Sequence, residues 1–352
     1  MISTSAKYLL TKDQLVLVNY VQSLFNKPVY LVGGAVRDIF LGLEPKDFDF
    51  CSSLTPTEIK QQLKGIHRTY LAGERHGTIG FKVKEELIEI TSFRTEAYKD
   101  GSRSPEVKFV TDISEDLSRR DFTINAIAIR CDNYNLIDPF NGLDDINKKV
   151  LKTVGDSKLR FKEDPLRILR AIRISSKYSF DIDVKTEDRI CKMSNKLLEV
   201  SKERWVWELD KILMLGGSRT GSGLYKLFEY GIFKYIIPEL QLQFKYNQNS
   251  RHHDFQLHTH TIKVVESTPN NLNLRWAALL HDIAKPFVRT ENKNGYSNYI
   301  NHELLGAELV ERLSRHLKFS NERRNYVVNT IKTHLNDDNE LRPYDNQSKL
   351  HI

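Results

Sequence analysis

The sequence predicts a mixed α+β unit at the N-terminal end, followed by a longer region built from helices. Short apolar runs and alternating polar and apolar residues, which are typical of strands, fall between residues 28 and 150. From about residue 155 onward, apolar residues recur at helical spacing instead. We therefore divide the chain into a head (1–150), a helical neck (151–220) and a helical body (221–352).

Strand and helix signals alternate through the head. A first helix is predicted within residues 1–27, where apolar residues recur at helical spacing. The segment from Asp47 to Phe50 alternates polar and apolar side chains, which indicates a strand with both aspartates on one face. The other predicted elements are a strand at 28–32, a helix at 36–43, and strands at 78–83 and 87–91.

The neck and the body are predicted to be helical, with polar breaks. The glycine- and serine-rich stretch at 216–223 predicts a flexible linker, because it follows a helix and lacks the Lys-Ser/Thr ending of a P-loop. The polar residues from about 338 onward are predicted to be loose. The predicted helices are 159–178, 185–215, 224–236, 257–267, 272–285, 302–317 and 321–335.

Composition favours a polyanionic partner and a reducing compartment. Lys and Arg outnumber Asp and Glu by 53 to 46, and the formal net charge of +7 suits binding to phosphates. The three cysteines form no CxxC pair, and their odd number argues against a disulfide framework. The N-terminal segment lacks the apolar core of a signal peptide, and no apolar run has the length of a membrane span. We expect a cytoplasmic protein that does not bind membranes.

A glycine turn followed by two aspartates is the most informative part of the head. Gly33 and Gly34 end the first predicted strand, and glycines let a backbone turn tightly and approach a ligand. The helix that follows presents free N–H groups to phosphates, and Arg37 adds a fork of donors. Asp47 and Asp49, two residues apart, offer carboxylate oxygens that suit Mg²⁺. The pattern predicts a site for a metal and a triphosphate.

Glu89 is a third candidate metal ligand. It lies between Ile88 and Ile90 on a later predicted strand, and a third acid beside Asp47 and Asp49 would help to complete a site for two Mg²⁺ ions. Each fragment alone has an ordinary structural interpretation, since a Gly-Gly pair is usually a turn and an Asp-x-Asp pair is usually a solvated strand edge. Their order and spacing in one chain favour the catalytic interpretation.

This arrangement resembles the signature of the DNA polymerase beta nucleotidyltransferase superfamily, which implies a mixed or antiparallel sheet with helices. More narrowly, LVGGAVRDIFLG with the later DFDF is similar to the first motif of the class II tRNA nucleotidyltransferase and bacterial poly(A) polymerase family. RRDFTINA is similar to the second motif of that family. The resemblance implies that Arg120, Asp121 and Asn125 contact the ribose and the triphosphate. A local ion pair between Arg120 and Asp121 is the structural alternative.

The segment EDPLRILRA is similar to the motif with which this family reads the incoming base. An acidic and a basic side chain three residues apart on one helix face offer an acceptor and donors to a base edge. The resemblance implies that Asp164, Arg167 and Arg170 bind the nucleotide, with Glu163 holding Arg167. The structural alternative is a helix cap at Asp164, followed by proline and a solvated arginine face.

The body resembles an HD phosphohydrolase domain. The resemblance rests on His260 and on the pair His281-Asp282, which would bind a metal, and the ligand types allow a transition metal. His302 and His334 fall where related domains often have further histidines. A leucine follows His334 where some relatives have an aspartate. We therefore expect the last aspartate of the pattern to be missing, which argues against hydrolase activity.

Together the motifs imply a template-independent enzyme that adds C, C and A to the 3′ end of tRNA from CTP and ATP. The tRNA 3′-hydroxyl would attack the α-phosphate, with one Mg²⁺ ion activating the hydroxyl and a second stabilising the leaving pyrophosphate. The polar segment 94–118 predicts a mobile loop, which this family associates with the switch from C to A addition. Poly(A) addition, partial CC or A addition, an HD-type phosphohydrolase and a non-catalytic RNA-binding module are the alternatives.

Overall fold

The chain forms two compact units, which we call the head unit and the helical unit. The structure, a computed structural model, describes residues 5–97, 106–249 and 256–347. The head unit comprises residues 1–164 and 181–186, and the helical unit comprises 165–180 and 187–352. The division at residues 150 and 220 stays a prediction. Within the described ranges, every helix is too short or too polar to cross a membrane.

The head unit alternates short helices with the strands of a large sheet. Its elements in chain order are η1 (Ala6–Leu9, a 3-10 helix like the other η elements), α1 (Lys12–Ser23), β1 (Val29–Val32), α2 (Gly34–Phe40), β2 (Asp49–Ser52), α3 (Pro56–Leu63), β3 (Thr69–Tyr70), η2 (Glu74–His76), β4 (Thr78–Val83), β5 (Glu86–Ser92), β6 (Arg94–Ala97), β7 (Glu106–Phe109), α4 (Ile113–Ser118), η3 (Thr123–Asn125), β8 (Ala128–Arg130), β9 (Leu136–Ile137), α5 (Gly142–Lys148), β10 (Val150–Leu151), α6 (Ser157–Glu163) and β11 (Asp181–Ile182). The strands predicted at 28–32, 78–83 and 87–91 correspond to β1, β4 and β5.

A mixed seven-stranded sheet lies at the centre of the head unit, in the order β3–β4–β5–β2–β1–β8–β9. β2 and β5 run parallel, and the other neighbouring strands are antiparallel. Leu31, Phe50 and Ile90 of three adjacent strands are buried, and each such side chain stabilises the fold by about 1.5–3 kcal/mol. The predicted α+β class with a mixed sheet is confirmed.

β2 begins at Asp49, two residues later than predicted. The last pair between β1 and β2 joins Val32 to Asp49, because β1 ends there and the chain turns at Gly33. Asp47 lies in the connection before the strand. The prediction of one strand that carries both aspartates on one face is therefore wrong, although both residues are exposed.

Helices dominate the helical unit. Its elements in chain order are α7 (Arg167–Tyr178), α8 (Val184–Met193), η4 (Ser194–Glu199), α9 (Lys202–Leu213), α10 (Gly217–Glu229), α11 (Phe233–Ile236), α12 (Pro238–Gln241), α13 (Leu257–Ser267), α14 (Leu272–Leu280), α15 (Lys285–Val288), β12 (Thr290–Glu291), β13 (Ser297–Asn298), α16 (His302–His316), α17 (Asn321–Lys332) and α18 (Arg342–Gln347). The first residues of α8 belong to the head unit. β12 and β13 form an antiparallel pair.

The helix predicted over 159–178 is interrupted at Asp164. The backbone of Asp164 is extended (φ −144°, ψ 99°), since the residue before a proline is disfavoured in the helical region. The prediction that Asp164 and Arg167 share one helix face is therefore wrong. Arg167 is the first residue of α7, whereas Asp164 follows the end of α6.

The linker predicted at 216–223 is also wrong, because α10 begins at Gly217. A Cβ atom on Gly223 would lie 2.7 Å from Cγ2 of Ile212, and a Cβ atom on Gly221 would collide with the carboxylate of Glu266. These glycines allow α10 to pack closely against α9 and α13 within the helical unit. Their role is close packing, which a flexible stretch does not need.

Two predictions of irregular structure are wrong in part. Within 94–118, β6 and β7 form an antiparallel pair and α4 follows, while residues 98–105 lie outside the described residues. Near the C-terminal end, α18 occupies part of the stretch predicted to be loose.

Candidate nucleotide and metal sites

The turn between β1 and α2 requires glycine at position 33. Gly33 has φ 72° and ψ −133°, a conformation that side chains disfavour strongly. A Cβ atom there would lie 3.1 Å from Nη1 of Arg120, whereas one on Gly34 would lie 3.3 Å from Nη2 of Arg37. Two predicted nucleotide-binding arginines therefore lie against the two glycines of this turn.

Arg37 forms part of a buried hydrogen-bond network. Its Nε and Nη2 both donate to Oδ1 of Asp38 at 2.9 Å, and its Nη1 donates to Oδ1 of Asn125 at 2.6 Å. Asn125 donates in turn to Oδ1 of Asp121 at 3.0 Å. The network ties the helix after the glycine turn to the segment that carries Asp121. Arg37 is thus placed to support the site, with most of its donors already bonded inside the protein.

Asp49 and Glu89 are neighbours on parallel strands. The register of β2 and β5 pairs them directly, and both side chains reach solvent. The pKa of the Asp49 carboxyl is raised, first because the surrounding protein removes part of its water. Glu89 and Asp47 raise it further through their negative charge, while Arg120 acts in the opposite direction.

This acidic group suits Mg²⁺ in ligand type. Carboxylate oxygens are the donors that Mg²⁺ prefers, and a bound cation would relieve the repulsion that raises the pKa of Asp49. Among the described residues, Asp47, Asp49 and Glu89 do not form a group whose ligand atoms all lie within 4.8 Å of one another. The structure therefore brings Asp49 and Glu89 together and leaves Asp47 in the preceding connection.

The arginines of the neck motif lie on α7. Arg173 Nε donates to Oε2 of Glu208 at 2.6 Å, and Nη1 of Arg170 lies 4.0 Å from Oε1 of the same carboxylate. Glu208 is fully buried on α9. This contact was not predicted from the sequence. Glu163, which we expected to hold Arg167, accepts from Nη2 of Arg160 at 2.6 Å.

His260, His281 and Asp282 converge within the helical unit. The Nε2 atoms of the two histidines lie 3.2 Å apart, and they lie 3.3 and 3.1 Å from Oδ2 of Asp282. All three side chains are buried. Their ligand atoms lie within 4.8 Å of one another, as a shared metal ion requires.

His302 and His334 meet the other oxygen of Asp282. Their Nε2 atoms lie 3.2 Å apart, and they lie 3.3 and 3.9 Å from Oδ1 of Asp282. These residues form a second group with ligand atoms within 4.8 Å of one another. Asp282 therefore belongs to both groups, which makes it the shared residue of the cluster.

Asp345 supplies a late aspartate that we expected to be missing. Its Oδ1 lies 3.2 Å from Nε2 of His260 and 3.8 Å from Nε2 of His281, and the residue is buried on α18. The expectation is wrong because the aspartate comes from the following helix and not from the residue after His334. No spacing signal marks Asp345 in the sequence, since it lies in the polar stretch from about residue 338 that was predicted to be loose.

The histidine rings in this cluster are oriented for coordination through Nε2. Nδ1 of His281, His302 and His334 lies 2.8, 2.6 and 2.7 Å from the carbonyl oxygen three residues earlier. A ring that donates from Nδ1 presents an unprotonated Nε2 to a metal. Burial acts to raise the pKa of Asp282, but His281 and Lys285 outweigh it and lower the pKa. Nitrogen ligands with carboxylates fit a divalent transition metal.

These features define a nucleotidyltransferase-type head and a separate histidine–aspartate cluster of the HD type. Residues 29–152 match the poly(A) polymerase head domain, residues 179–243 match the probable RNA- and SrmB-binding site of polymerase A, and residues 257–350 match the HD domain. The chain therefore carries a poly(A) polymerase head domain and an HD domain, and its motifs resemble those of the class II tRNA nucleotidyltransferase and bacterial poly(A) polymerase family.

Curated relatives of the chain include CCA-adding enzymes. One from Lactococcus lactis subsp. lactis is 44% identical over 217 residues, which cover 60% of this chain and 52% of the relative. Another, from Lactococcus lactis subsp. cremoris, is 39% identical over 281 residues, which cover 77% of this chain and 65% of the relative. The chain thus spans between 52% and 65% of the length of these two relatives.

Two solved structures resemble the fold of this chain over more than nine tenths of its length. The Bacillus stearothermophilus CCA-adding enzyme in complex with CTP has a TM-score of 0.64 and 26% identity, covering 96% of this chain and 82% of that chain. A tRNA nucleotidyltransferase complexed with a primer tRNA and an incoming ATP analogue has a TM-score of 0.56 and 25% identity, covering 91% and 84%.

Proposed function

We propose that this protein adds C, C and A to the 3′ end of tRNA, using CTP and ATP and no template. The observation that carries the proposal is the acidic pair Asp49 and Glu89. The two residues lie in register on β2 and β5, Asp49 pairs with the last residue of β1 just before the Gly33 turn, and the charge of Arg120 acts on Asp49. The named activity of the similar CCA-adding enzymes and the CTP bound to one of them support the choice of substrates. The expected location is the cytoplasm.

The predicted site residues take separate parts in the proposed transfer. Asp47, Asp49 and Glu89 would hold Mg²⁺, which when bound supplies the positive charge that favours attack by the tRNA 3′-hydroxyl and departure of pyrophosphate. Arg120 donates to the triphosphate, and the absence of a side chain at Gly33 leaves room for the guanidinium of Arg120. Asp121, held by Asn125, accepts from a ribose hydroxyl. Asp164, Arg167 and Arg170 bind the incoming base.

A product-length assay on tRNA that lacks its terminal CCA tests this function. The tRNA is incubated with Mg²⁺ and with CTP, ATP or both, and the products are sequenced. The proposal expects C addition with CTP alone, and CCA with both nucleotides. A long A tail supports poly(A) addition, only C or only A supports a partial enzyme, and no addition under any condition overturns the proposal.

Two matched variants connect the activity to the acidic pair. Asp49→Asn removes a carboxylate of the pair and should abolish addition. Glu85→Gln removes one negative charge from the exposed turn between β4 and β5 and should leave addition unchanged. If Asp49→Asn retains full activity while folded, the residue has no part in the reaction.

The cluster around Asp282 supports metal-dependent phosphoester hydrolysis as a second candidate function. The observation that favours it is Asp345, whose Oδ1 lies 3.2 Å from Nε2 of His260 and 3.8 Å from Nε2 of His281. A bound metal would supply an activated water there. Hydrolysis of bis(p-nitrophenyl) phosphate and p-nitrophenyl phosphate with Mn²⁺, Ni²⁺ or Zn²⁺ tests it. Loss of hydrolysis in Asp345→Asn but not in Asp49→Asn would assign it to this cluster, and its absence in the unaltered protein would exclude it.

A further inference from the structure

We infer that Asp116 is a positioning residue for nucleotide binding in the head unit, and that it acts by holding Arg120 at the glycine turn. The inference rests on the proposed function, because it concerns the triphosphate that the head would bind. Asp116 lies outside the sequence motifs from which the site residues were predicted. The juxtaposition that carries it is a single buried carboxylate bonded to two adjacent arginines and to the first residue of β6.

Asp116 is a buried carboxylate, and both of its oxygens accept hydrogen bonds from arginines. It lies on α4 with no exposed side-chain surface, and its neighbours Ile113 and Leu117 belong to an apolar cluster that also includes Cys51. A carboxylate in such surroundings is costly unless it is paired and hydrogen-bonded. A carboxylate at this position therefore needs partners of opposite charge.

Its partners are two arginines and a backbone amide. Nε and Nη2 of Arg119 donate to Oδ1 at 3.0 and 2.8 Å, and the backbone N–H of Arg94 donates to the same oxygen at 3.2 Å. Nη2 of Arg120 donates to Oδ2 at 3.2 Å. Burial acts to raise the pKa of Asp116, but the charges of Arg120 and Arg119 outweigh it and lower the pKa. Asp116 is thus ionised and acts as a fixed anchor.

Arg120 connects this anchor to the candidate site. One end of its guanidinium is bonded to Asp116, and Nη1 at the other end lies 3.1 Å from the position of a Cβ atom on Gly33. Its charge also acts on Asp49. The Nε atom of Arg120 is buried and has no hydrogen-bond partner within the described ranges. Arg120 is therefore fixed by Asp116 at one end, with Nη1 at the other end beside the Gly33 turn, where the proposed triphosphate would lie.

Loss of the Asp116 charge should weaken binding of the triphosphate group in particular. Without the negative charge of Asp116, Arg119 and Arg120 would repel each other. Arg120 would then move away from its position beside Gly33. CTP and ATP carry the same triphosphate, so both should lose affinity to a similar extent. Binding of tRNA does not use this contact and should keep its KM.

A double-mutant cycle between Asp116 and Arg120 tests the inference. The dissociation constant of CTP is measured by calorimetry for Asp116→Asn in the native background and in an Arg120→Gln background. Asp116→Asn should weaken CTP binding by about 10- to 100-fold in the native background, as expected for one charge-assisted hydrogen bond. In the Arg120→Gln background it should change binding by less than about 3-fold, because the anchored group is absent.

Controls separate a positioning role from general damage. Glu115→Gln removes the same charge from an exposed position on α4 and should leave CTP binding unchanged. Equal losses from Asp116→Asn in both backgrounds, or unaltered CTP binding in the native background, would overturn the inference. If Asp116→Asn does not fold, Asp116→Glu replaces it in the same cycle and must show the same dependence on Arg120. Absence of nucleotide addition in the unaltered protein refutes the proposed function, whereas the binding cycle still decides the role of Asp116.

Discussion

Replacement of Gly33 by alanine tests how the glycine turn controls Arg120. The φ of 72° and ψ of −133° lie in a region that only glycine occupies readily, so alanine should cost about 1–3 kcal/mol of folding free energy. The new Cβ atom would lie 3.1 Å from Nη1 of Arg120, which is closer than nine in ten real Cβ contacts. Arg120 would have to move, and the loss of one charge-assisted bond to a phosphate corresponds to about 1.5–3 kcal/mol of binding.

The matched control is Gly65→Ala. Gly65 also has a positive φ, of 82°, but a Cβ atom there would meet nothing within 4 Å. Urea unfolding should show a loss of stability for both variants, and CTP titration should show weaker binding for Gly33→Ala alone. If Gly33→Ala binds CTP as tightly as the unaltered protein, then contact between this turn and Arg120 does not govern nucleotide affinity, and the reasoning is refuted.

Three further changes test the packing and the helix caps. Glu208→Gln should lower the free energy of unfolding by about 1–3 kcal/mol in urea, because two arginines of α7 lose their buried counter-charge; unaltered stability would contradict this. Gly221→Ala should cost about 1–3 kcal/mol, because its Cβ atom collides with Glu266, and a Glu266→Ala background should reduce the loss. The pKa of Glu58 is lowered to about 2 by hydrogen bonds from the backbone and side chain of Thr55. Its stabilising effect should be complete above about pH 4.5 and lost as the pH falls towards 2, so the Tm difference between Glu58→Gln and the native protein should shrink over that range.

The central strands of the head could be predicted because their signals are local. β1, β4 and β5 consist of apolar runs or alternating residues that the pairing then buries. The start of β2 could not be predicted in this way, since it depends on where β1 ends. Pairing stops at Val32 and Asp49, and this leaves Asp47 outside the strand. The helix predicted over 159–178 failed for a local reason that was visible in the sequence, namely the proline after Asp164.

The site residues show the same difference between local sequence signals and features that depend on the fold. The glycines and aspartates of the head form a compact motif, so the sequence could indicate them as a group. Asp116, Glu208 and Asp345 have no such motif in their surroundings, because each gains its importance from partners on other elements. A buried carboxylate in a helical stretch is visible in a sequence only as one acidic residue among many. Its partners become known when the fold brings the arginines or histidines to it.

The number of metal ions that the cluster around Asp282 can bind follows from the fact that its two ligand groups share Asp282. Two groups of ligands use opposite oxygens of Asp282, so the cluster has the donors for two divalent ions. After reconstitution with Mn²⁺ or Zn²⁺ and gel filtration, elemental analysis should find two bound ions in the native chain. His302→Ala should reduce this to one, since the group of His260 and His281 stays intact, while Asp282→Ala should lose both. A single ion that survives His302→Ala and is lost in His260→Ala would refute the second site, because the donors around His334 would then not suffice to bind an ion of their own.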